Sequence, residues 1–247
     1  MAFVIIDNAA RLNVLNSPLM IAFADAFAHL ERDDDLRAVV VTGAGERAFV
    51  GGADVDEMAG LDGPDAARAF ITRVQGCCAA VRHCRVPVIA RIAGYALGAG
   101  LELAVSCDLR VATEGAVFGM PEVRLGIPSV VEAAVLPMLV GWGRARSILL
   151  LGEMFDARAA LAMGLVEAVV APEDLDAAVE ARLAALLAAG PRALRLQKAL
   201  IRQWEGLPLA DAIAAGIDTF SGAFETDEPR LAMRDFQAAR AARREAR

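Results

Sequence analysis

Lysine and histidine are scarce in this 247-residue chain, which has one lysine, Lys198, and two histidines, His29 and His83. With one lysine inside a helical pattern, the chain has no phosphate-binding loop of the G-x-x-x-x-G-K-[ST] type. Two isolated histidines exclude a metal centre built from several imidazoles. The nucleophile motif G-x-S-x-G of serine hydrolases is also absent from the sequence. We therefore predict no metal site and no covalent serine chemistry.

Cysteine is almost as scarce, and its spacing excludes a redox or zinc motif. The four cysteines form no C-x-x-C pair; they are Cys77, Cys78, Cys84 and Cys107. Cysteines in this pattern usually act as small hydrophobic side chains in a reducing compartment. We expect all four to be free and buried.

Long hydrophobic runs are missing, although the mean hydropathy is +0.45 because alanine is abundant. No uninterrupted apolar run approaches the roughly 18 residues of a membrane-spanning helix. The N-terminal residues MAFVIIDN carry no basic group ahead of their short apolar run, unlike a signal peptide. The net charge of −7 argues against broad nucleic-acid binding. We expect a cytoplasmic protein with neither a membrane nor a nucleic acid as partner.

Strand-like and helix-like segments alternate through the first half of the chain. Apolar segments predict strands at residues 3–6, 37–42, 87–92, 108–112 and 116–119. Amphipathic segments predict helices at residues 18–30, 64–83 and 101–107, with Ser17 as the N-cap of the first. Residues 43–53 and 94–100 are predicted as glycine-rich turns. This order indicates an α/β fold with a parallel or mixed sheet that binds ligands at the carboxyl ends of its strands.

Helical patterns dominate from residue 129 onward. Only residues 165–170 look extended there, and the remainder is rich in alanine. A Gly-Pro pair at residues 190–191 breaks the helical pattern. We predict an α/β core at residues 1–190 and a helical C-terminal region at residues 191–247.

Two glycine-rich turns stand between a predicted strand and a predicted helix: FVGGADVDEM at residues 49–58 and GYALGAGLELA at residues 94–104. Glycine lets the backbone approach a ligand closely, and a helix N-terminus offers N–H groups without partners. Two such turns facing each other suit a thioester carbonyl that becomes an enolate. An ordinary strand-to-helix connection explains either turn taken alone.

Two glutamates follow these features in apolar surroundings. Glu102 lies in the sequence LELAV, and Glu122 lies in GMPEV after the strand predicted at residues 116–119. Apolar surroundings raise the pKa of a carboxyl group toward the range useful for proton transfer. Two carboxyl groups in one pocket can serve as acid and base, whereas either one alone is more simply the partner of an arginine.

These motifs together resemble the enoyl-CoA hydratase/isomerase family, or crotonase superfamily, over nearly the whole chain. The resemblance implies a crotonase-like ββα spiral core with a helical C-terminal trimerisation region, and a homotrimer or a dimer of trimers. The matching segments are LNVLN at 12–16, RAVVVTGAGERAFVGGADVDEM at 37–58, PVIARIAGYALGAGLELAVSCDLRVA at 87–112, FGMPEVRLGIP at 118–128, LVGWGRA at 139–145, LLLGEMFDARAALAMGLVEAVV at 149–170 and FETDEPRLAMRDF at 224–236.

The resemblance also implies roles for single residues. It places two oxyanion donors on the backbone N–H groups of Ala53 and Ala99, and the catalytic carboxylates on Glu102 and Glu122. The substrate is an acyl-CoA thioester, so no separate cofactor is expected. Arg11 is the candidate for the coenzyme phosphates, with a solvated surface arginine as the alternative. The remaining substrate-binding candidates are Gly51, Gly52, Asp54, Gly98, Gly100 and Glu132.

The activity that the resemblance implies is hydration, the syn addition of water across the C2–C3 double bond of a 2-enoyl-CoA. Because the chain has both Glu102 and Glu122, the resemblance favours the addition of water over the other reactions of the family. One alternative is a double-bond isomerase, which needs Glu122 as its single base. A second alternative is an acyl-CoA binder without catalytic activity.

The chain departs from the family at residues 129–136, where SVVEAAVL replaces the glycine-rich G-A-G-G-T-Q-R-L of many hydratases. This stretch helps to shape the acyl pocket, so the acyl group is left open. It also introduces Glu132, for which two interpretations stand. Glu132 is either a first-turn acid that complements a helix dipole, or a third carboxylate that binds a polar acyl group or shuttles a proton.

Overall fold

The computed structural model describes residues 1–245, and two β-sheets form the centre of the molecule. The strands are β1 (Ala2–Ile6), β2 (Val39–Gly43), β3 (Ala48–Val50), β4 (Val88–Ile92), β5 (Tyr95–Leu97), β6 (Leu109–Thr113), β7 (Val117–Gly119), β8 (Met154–Asp156) and β9 (Ala168–Val170). The helices are α1 (Ser17–Leu30), α2 (Val55–Ala59), α3 (Gly63–His83), α4 (Ala99–Ser106), α5 (Leu136–Leu151), α6 (Ala157–Met163), α7 (Leu175–Ala188), α8 (Pro191–Trp204), α9 (Leu209–Ala223) and α10 (Glu228–Glu245).

The chain winds between the two sheets as a spiral. The larger sheet has the order β1-β2-β4-β6-β9 and is parallel throughout. The smaller sheet has the order β3-β5-β7-β8 and is parallel except between β7 and β8. Each of β2, β4 and β6 lies in the larger sheet and is followed by a strand of the smaller one. The predicted ββα spiral core is thereby confirmed.

Burial follows from the position of the strands in the larger sheet. Val39, Val40 and Val41 of β2 are all fully buried because helices cover both faces of a parallel sheet. Side chains alternate between the faces: Val39 and Val41 belong to the main core, and Val40 packs with Leu175 of α7. The continuous apolar run that predicts this strand is therefore a consequence of two-sided burial.

Three short strands lie where the sequence predicts turns or helix. Strand β3 lies within the predicted turn at residues 43–53, and β5 lies within the predicted turn at residues 94–100. Strand β8 lies in the region predicted to be extended only at residues 165–170. Each strand has three residues, which are too few for the alternating pattern of a strand to be recognised in the sequence. Their extended conformation depends on pairing with strands far away in the sequence.

The three predicted helix starts are each one or two residues late, and those of α1 and α4 have consequences. The N-cap of α1 is Asn16, whose side chain accepts a hydrogen bond from the Leu19 N–H, and Ser17 is the first helical residue. Asn and Ser are both good caps, so the sequence alone chose wrongly between neighbours. Helix α4 begins at Ala99, two residues before the predicted start. This earlier start matters because it makes the Ala99 N–H part of a helix N-terminus.

The last three helices differ in how they meet the core. Helix α8 packs on it through buried Lys198 and Leu200. Helices α9 and α10 carry large apolar side chains that are exposed, among them Leu209, Ile217 and Phe236. The predicted trimer stays a prediction.

The four cysteines are free and buried, as predicted. Burial raises the pKa of Cys84 to about 11 and the pKa of Cys107 to about 12. Thiols with such pKa values are not thiolates at neutral pH, so these two side chains act as packing groups.

Among the described residues, one helical stretch, Val131–Leu151, is long and apolar enough by composition to cross a membrane. Glu132, Arg144 and Arg146 interrupt this stretch, so it contains no long uninterrupted apolar run. The stretch combines a 3-10 helix, Val131–Val135, with α5, and α5 is broken at Gly141, where φ is 78° and ψ is 155°. Core helices of globular proteins meet the same criterion, so the stretch by itself does not indicate a span.

Close packing between α4 and β3 fixes the position of the second glycine turn. A Cβ atom added to Gly100 would lie 2.1 Å from the Val50 carbonyl oxygen, whereas one added to Gly76 on α3 meets nothing within 4 Å. We predict that Gly100→Ala lowers the free energy of unfolding by about 1–3 kcal/mol or more, because α4 must move away from β3. The matched variant Gly76→Ala should leave it unchanged or raise it by up to ~1 kcal/mol. Urea unfolding measures both, and equal stabilities would contradict this packing.

Candidate active site

A cleft of about 120 Å³ opens beside the ends of β3 and β5. Both glycine-rich turns line it, together with Glu102 and Glu122. Its walls are apolar and come from α2, α3 and the segment after Glu122; they include Val55, Met58, Phe70, Ile71, Val74, Leu125, Ile127, Pro128 and Val130. The cleft therefore combines apolar walls with backbone amides and two carboxyl groups.

The first turn is held in place by an isolated bridge to the segment before α1. The Leu15 N–H donates to the Gly52 carbonyl at 2.9 Å, and the Asp54 N–H donates to the Leu15 carbonyl at 2.9 Å. In a parallel bridge of this kind, the intervening residue directs its own N–H away from the partner. Ala53 is that residue and lines the cleft. Its N–H has no acceptor among the residues that the structure describes.

Gly51 and Gly52 also line the cleft, and the backbone explains why both are glycine. A Cβ atom at Gly51 would lie 3.0 Å from the Leu12 carbonyl oxygen, and Gly52 has a φ of +124°. Side chains are strained in such positions. These two residues shape the turn that presents Ala53.

Asp54 and Arg11 support this turn from outside the cleft, and neither lines it. Buried Asp54 is the N-cap of α2 and accepts from the N–H groups of Asp56 and Glu57 at 3.0 and 3.3 Å. Arg11 donates to Asp54 Oδ2 at 2.8 Å and to Asp56 Oδ2 at 2.5 Å. Asp54 thus makes a supporting contact, and the substrate contact expected for it stays a prediction. Arg11, half exposed, is engaged by two carboxylates.

The second turn presents the other amide. Gly98 is the N-cap of α4, with φ 52° and ψ −121°, and Ala99 is the first helical residue. The Glu102 N–H closes the first helical bond to the Gly98 carbonyl at 3.0 Å. The Ala99 N–H has no acceptor within the described part of the chain, as is normal for a first-turn donor. Ala53 and Ala99 thus expose two free N–H groups beside one cleft.

Gly98 lines the cleft, whereas Gly100 does not. A Cβ atom on Gly98 would lie 2.4 Å from Glu122 Oε1, so the missing side chain makes room for that carboxyl group. Gly100 is absent from the cleft lining and packs on Val50, as described above. Gly100 therefore has a packing role, and the substrate contact expected for it stays a prediction.

Glu122 lies on a 3-10 turn, Pro121–Leu125, whose position is set by the end of β7. Its Oε2 atom accepts a hydrogen bond from Ser129 Oγ at 2.8 Å, and its Oε1 atom lies over Gly98. Ser129 is missing from the sequence-based site, because only the fold brings it to the carboxyl group. One carboxyl oxygen is thus anchored and the other is directed to the second turn.

Glu102 lies in the first turn of α4 and is 4% exposed. Burial, together with the charge of Glu122, raises the pKa of Glu102 to about 8, while hydrogen bonds from the backbone of Ala133 and Val130 oppose the shift. A pKa of about 8 means that Glu102 carries its proton at neutral pH. The cleft therefore holds a carboxylic acid beside a second carboxyl group.

Glu132 lies behind the cleft and does not line it. It lies in the first turn of the 3-10 helix Val131–Val135, which leads into α5, and this is the position that the helix-dipole interpretation expects. Its Oε1 atom is 3.9 Å from Arg82 Nε, and its buried Oε2 atom has no partner among the described residues. Burial raises the pKa of Glu132, while Cys78 and Arg82 oppose the shift. Its charge in turn raises the pKa of Glu102.

The apolar wall from α3 is absent from the sequence-based prediction of the site. Phe70, Ile71 and Val74 lie on one face of this helix with the spacing i, i+1, i+4. That periodicity predicts a buried helix face. It does not indicate which cavity the face lines. No group of three or more metal-ligating side chains lies together among residues 1–245.

Known proteins of one family resemble this chain over nearly its whole length. The profile of the family described as Enoyl-CoA hydratase/isomerase matches residues 1–245. A Crotonyl-CoA hydratase of Syntrophomonas wolfei is 34% identical and covers 96% of this chain and 91% of its own. A Short-chain-enoyl-CoA hydratase of Clostridium acetobutylicum is 34% identical over 95% and 90% of the two chains. The crystal structure of an enoyl-CoA hydratase from Bacillus anthracis has a TM-score of 0.91 at 30% identity, covering 96% and 93%.

The raised pKa of Glu102 predicts a pH-dependent stability. Folded Glu102 keeps its proton up to about pH 8, whereas an unfolded glutamate loses it near 4.5, so the folded state binds more protons between these values. Stability contributed by this group therefore falls as pH rises from about 5 to 8. We predict that the unfolding free energy of Glu102→Gln, relative to the parent chain, rises by up to about 1.4 kcal/mol per pH unit in this window.

Urea unfolding at several pH values from 5 to 8 measures this difference. Any pH-independent cost of the substitution cancels from the slope. Parallel curves for the two proteins would contradict the raised pKa.

Proposed function

The chain belongs to the enoyl-CoA hydratase/isomerase family, and on that premise we propose that it is a 2-enoyl-CoA hydratase. The reaction is the syn addition of water across the C2–C3 double bond of an acyl-CoA thioester. One observation carries the proposal: two unengaged backbone N–H groups and two carboxyl groups line the same apolar cleft.

The amides of Ala53 and Ala99 act on the thioester carbonyl. When water attacks C3, negative charge moves to this oxygen as an enolate, and two N–H donors fixed beforehand stabilise that charge. Their positions follow from the Leu15 bridge and from the start of α4. By analogy with other oxyanion holes, each donor contributes roughly 3–4 kcal/mol to the transition state.

Glu102 and Glu122 handle the protons. Glu102 brings a proton into the cleft at neutral pH, and Glu122 directs Oε1 to the second turn while Ser129 holds Oε2. Together they hold one water: one glutamate removes its proton as oxygen attacks C3, and the other protonates C2. General acid–base help of this kind contributes roughly 10²–10⁴-fold in rate.

The acyl group is short in this proposal. The cleft has about 120 Å³ between its apolar walls, which leaves little room beyond the reacting carbons. Two relatives are named for crotonyl-CoA and for short-chain enoyl-CoA substrates. We place the coenzyme along Gly51 and Gly52, and Arg11 can reach its phosphates only by exchanging its carboxylate partners.

The assembly is proposed to be a homotrimer or a dimer of trimers in the cytoplasm. Exposed apolar side chains on α9 and α10, such as Ile213, Phe220 and Phe236, give such an assembly a surface to bury. The acidic composition and the four free cysteines support a cytoplasmic location.

A substrate panel with two variants tests the proposal. The purified protein is incubated with short 2-enoyl-CoA and 3-enoyl-CoA thioesters, and the products are identified by mass and chromatography. We expect the 2-enoyl substrate to gain one water, and Glu102→Ala to abolish that gain. We expect Glu122→Gln to lower turnover by at least ~10²-fold while coenzyme binding persists.

Other outcomes select the alternatives. Conversion of 3-enoyl to 2-enoyl thioester that survives Glu102→Ala would identify an isomerase with Glu122 as its base. Binding of thioesters without any conversion would identify an acyl-CoA binder.

The role of the second amide is testable by removing one N–H. Ala99 is the first residue of α4, where proline is tolerated because the N–H has no helical partner. We predict that Ala99→Pro lowers kcat by about 10²–10³-fold. Leu209→Pro makes the same change at the exposed first residue of α9 and should leave kcat unchanged. If Ala99→Pro keeps the parent melting temperature and full activity, this amide is not an oxyanion donor.

A further inference from the structure

A second cavity, of about 630 Å³, lies beside the larger sheet and shares no lining residue with the cleft. It is bounded by the end of α3 with the residues that follow it, and by one face of α8. Lys198 donates to the Val86 carbonyl and Arg195 to the Leu36 carbonyl, both just ahead of strands β4 and β2. The cavity thus lies at the amino ends of these strands, and none of the residues lining the cleft lines it.

Six cationic side chains line this cavity: Arg82, Arg85, Arg192, Arg195, Lys198 and Arg202. Four of them come from α8, whose sequence PRALRLQKALIRQW contains no acidic residue. Their spacing places Arg192, Arg195 and Arg202 at i, i+3 and i+10 on one helical face. A helix with this charge pattern carries a net positive face toward the cavity.

Four of the six cations have a carboxylate partner within 4 Å. These pairs are Arg82 with Glu205, Arg85 with Asp34, Arg192 with Glu225 and Lys198 with Asp108. Each pair cancels its charge, so these four side chains build the walls without attracting an anion strongly.

Arg195 and Arg202 have no carboxylate partner in the part of the chain that the structure describes. Arg195 donates to the carbonyl oxygens of Asp34 and Leu36 at 2.8 and 3.2 Å, and Arg202 donates to the Arg82 carbonyl. Burial and the charge of Arg82 lower the pKa of Arg202, while the charges of Glu205, Asp108 and Glu132 oppose the shift. Two guanidinium groups that line the cavity therefore have no carboxylate within ion-pair distance.

Hydrogen-bond donors are also left unused at this place. The Nε atoms of Arg85, Arg192 and Arg195 are buried and have no acceptor among residues 1–245. Buried donors without acceptors are costly. Three such atoms on arginines around a single cavity show that the protein supplies few acceptors to these side chains.

We propose that this cavity binds a phosphate-bearing organic molecule of about nucleotide size. Arginine forks recognise phosphate oxygens well, and the terminal oxygens of a tetrahedral phosphate point in several directions, so that one phosphate group can accept from donors on both walls. The volume lies within the roughly 300–1,000 Å³ of small-molecule sites and exceeds what inorganic phosphate needs. The site does not depend on the chemistry proposed for the cleft.

A charge-insertion pair tests the site without removing any existing contact. Ala199 lines the cavity on the exposed surface of α8, and Gln197 lies on the same helix, is exposed and does not line it. The variants Ala199→Glu and Gln197→Glu each add one negative charge, but only the first adds it to the cavity. Arg82 is left intact because it also approaches Glu132.

The probe is ADP, titrated into the full-length protein by calorimetry at low ionic strength. We expect the parent chain and Gln197→Glu to bind ADP equally, and Ala199→Glu to weaken the Kd by about tenfold or more. Orthophosphate should bind more weakly than ADP, and so should citrate. Melting temperatures check that both variants are folded; if Ala199→Glu unfolds, Ala199→Asp or the double variant Arg195→Gln, Arg202→Gln takes its place.

Three outcomes would overturn the proposal. The first is that the parent chain does not bind ADP. The second is that Ala199→Glu binds ADP as tightly as the parent, since the nucleotide would then lie elsewhere, for example along the cleft. The third is that citrate binds as tightly as ADP, which would remove the preference for phosphate.

Discussion

Close backbone packing around two glycine-rich turns is the constraint on which the rest of the site depends. The first turn is tied to the segment before α1 by the bonds of Leu15, and the second is pressed against β3 where Gly100 meets the Val50 carbonyl. These contacts use the neighbouring N–H groups and leave those of Ala53 and Ala99 free. An oxyanion site made of main chain needs such rigidity, because donors that must reorient lose most of their effect.

Burial then differentiates the carboxyl groups around the cleft. Glu102 is enclosed by α4 and the segment after Glu122, so its charged form is disfavoured and its pKa rises to about 8. Glu122 is anchored by Ser129, and Glu132 approaches Arg82 behind the cleft. Three acids of one residue type therefore have three environments. This differentiation is a property of their neighbours, and it lets one small cavity contain a proton donor.

The distribution of arginine gives the two cavities opposite character. The cleft, beside the ends of β3 and β5 in the smaller sheet, is apolar and contains acidic groups. At the amino ends of β2 and β4 in the larger sheet, α8 and the end of α3 gather six cations, of which two lack a carboxylate within 4 Å. A protein with a net charge of −7 thus concentrates positive charge in one cavity. The net charge of the whole chain argues against broad nucleic-acid binding, but it does not describe such a local cluster.

The sequence by itself determined the α/β class, the longer strands and helices, the two turns and both glutamates, because glycine content, burial period and residue type are local properties. It also placed the four cysteines in the interior. Only the tertiary structure decided that β3, β5 and β8 are strands, that Asp54 and Gly100 support the turns, that Glu132 lies behind the cleft, and that α8 faces the end of α3. Each of these features depends on contacts between residues far apart in the chain. The energy of such contacts cannot be inferred from any short stretch of sequence.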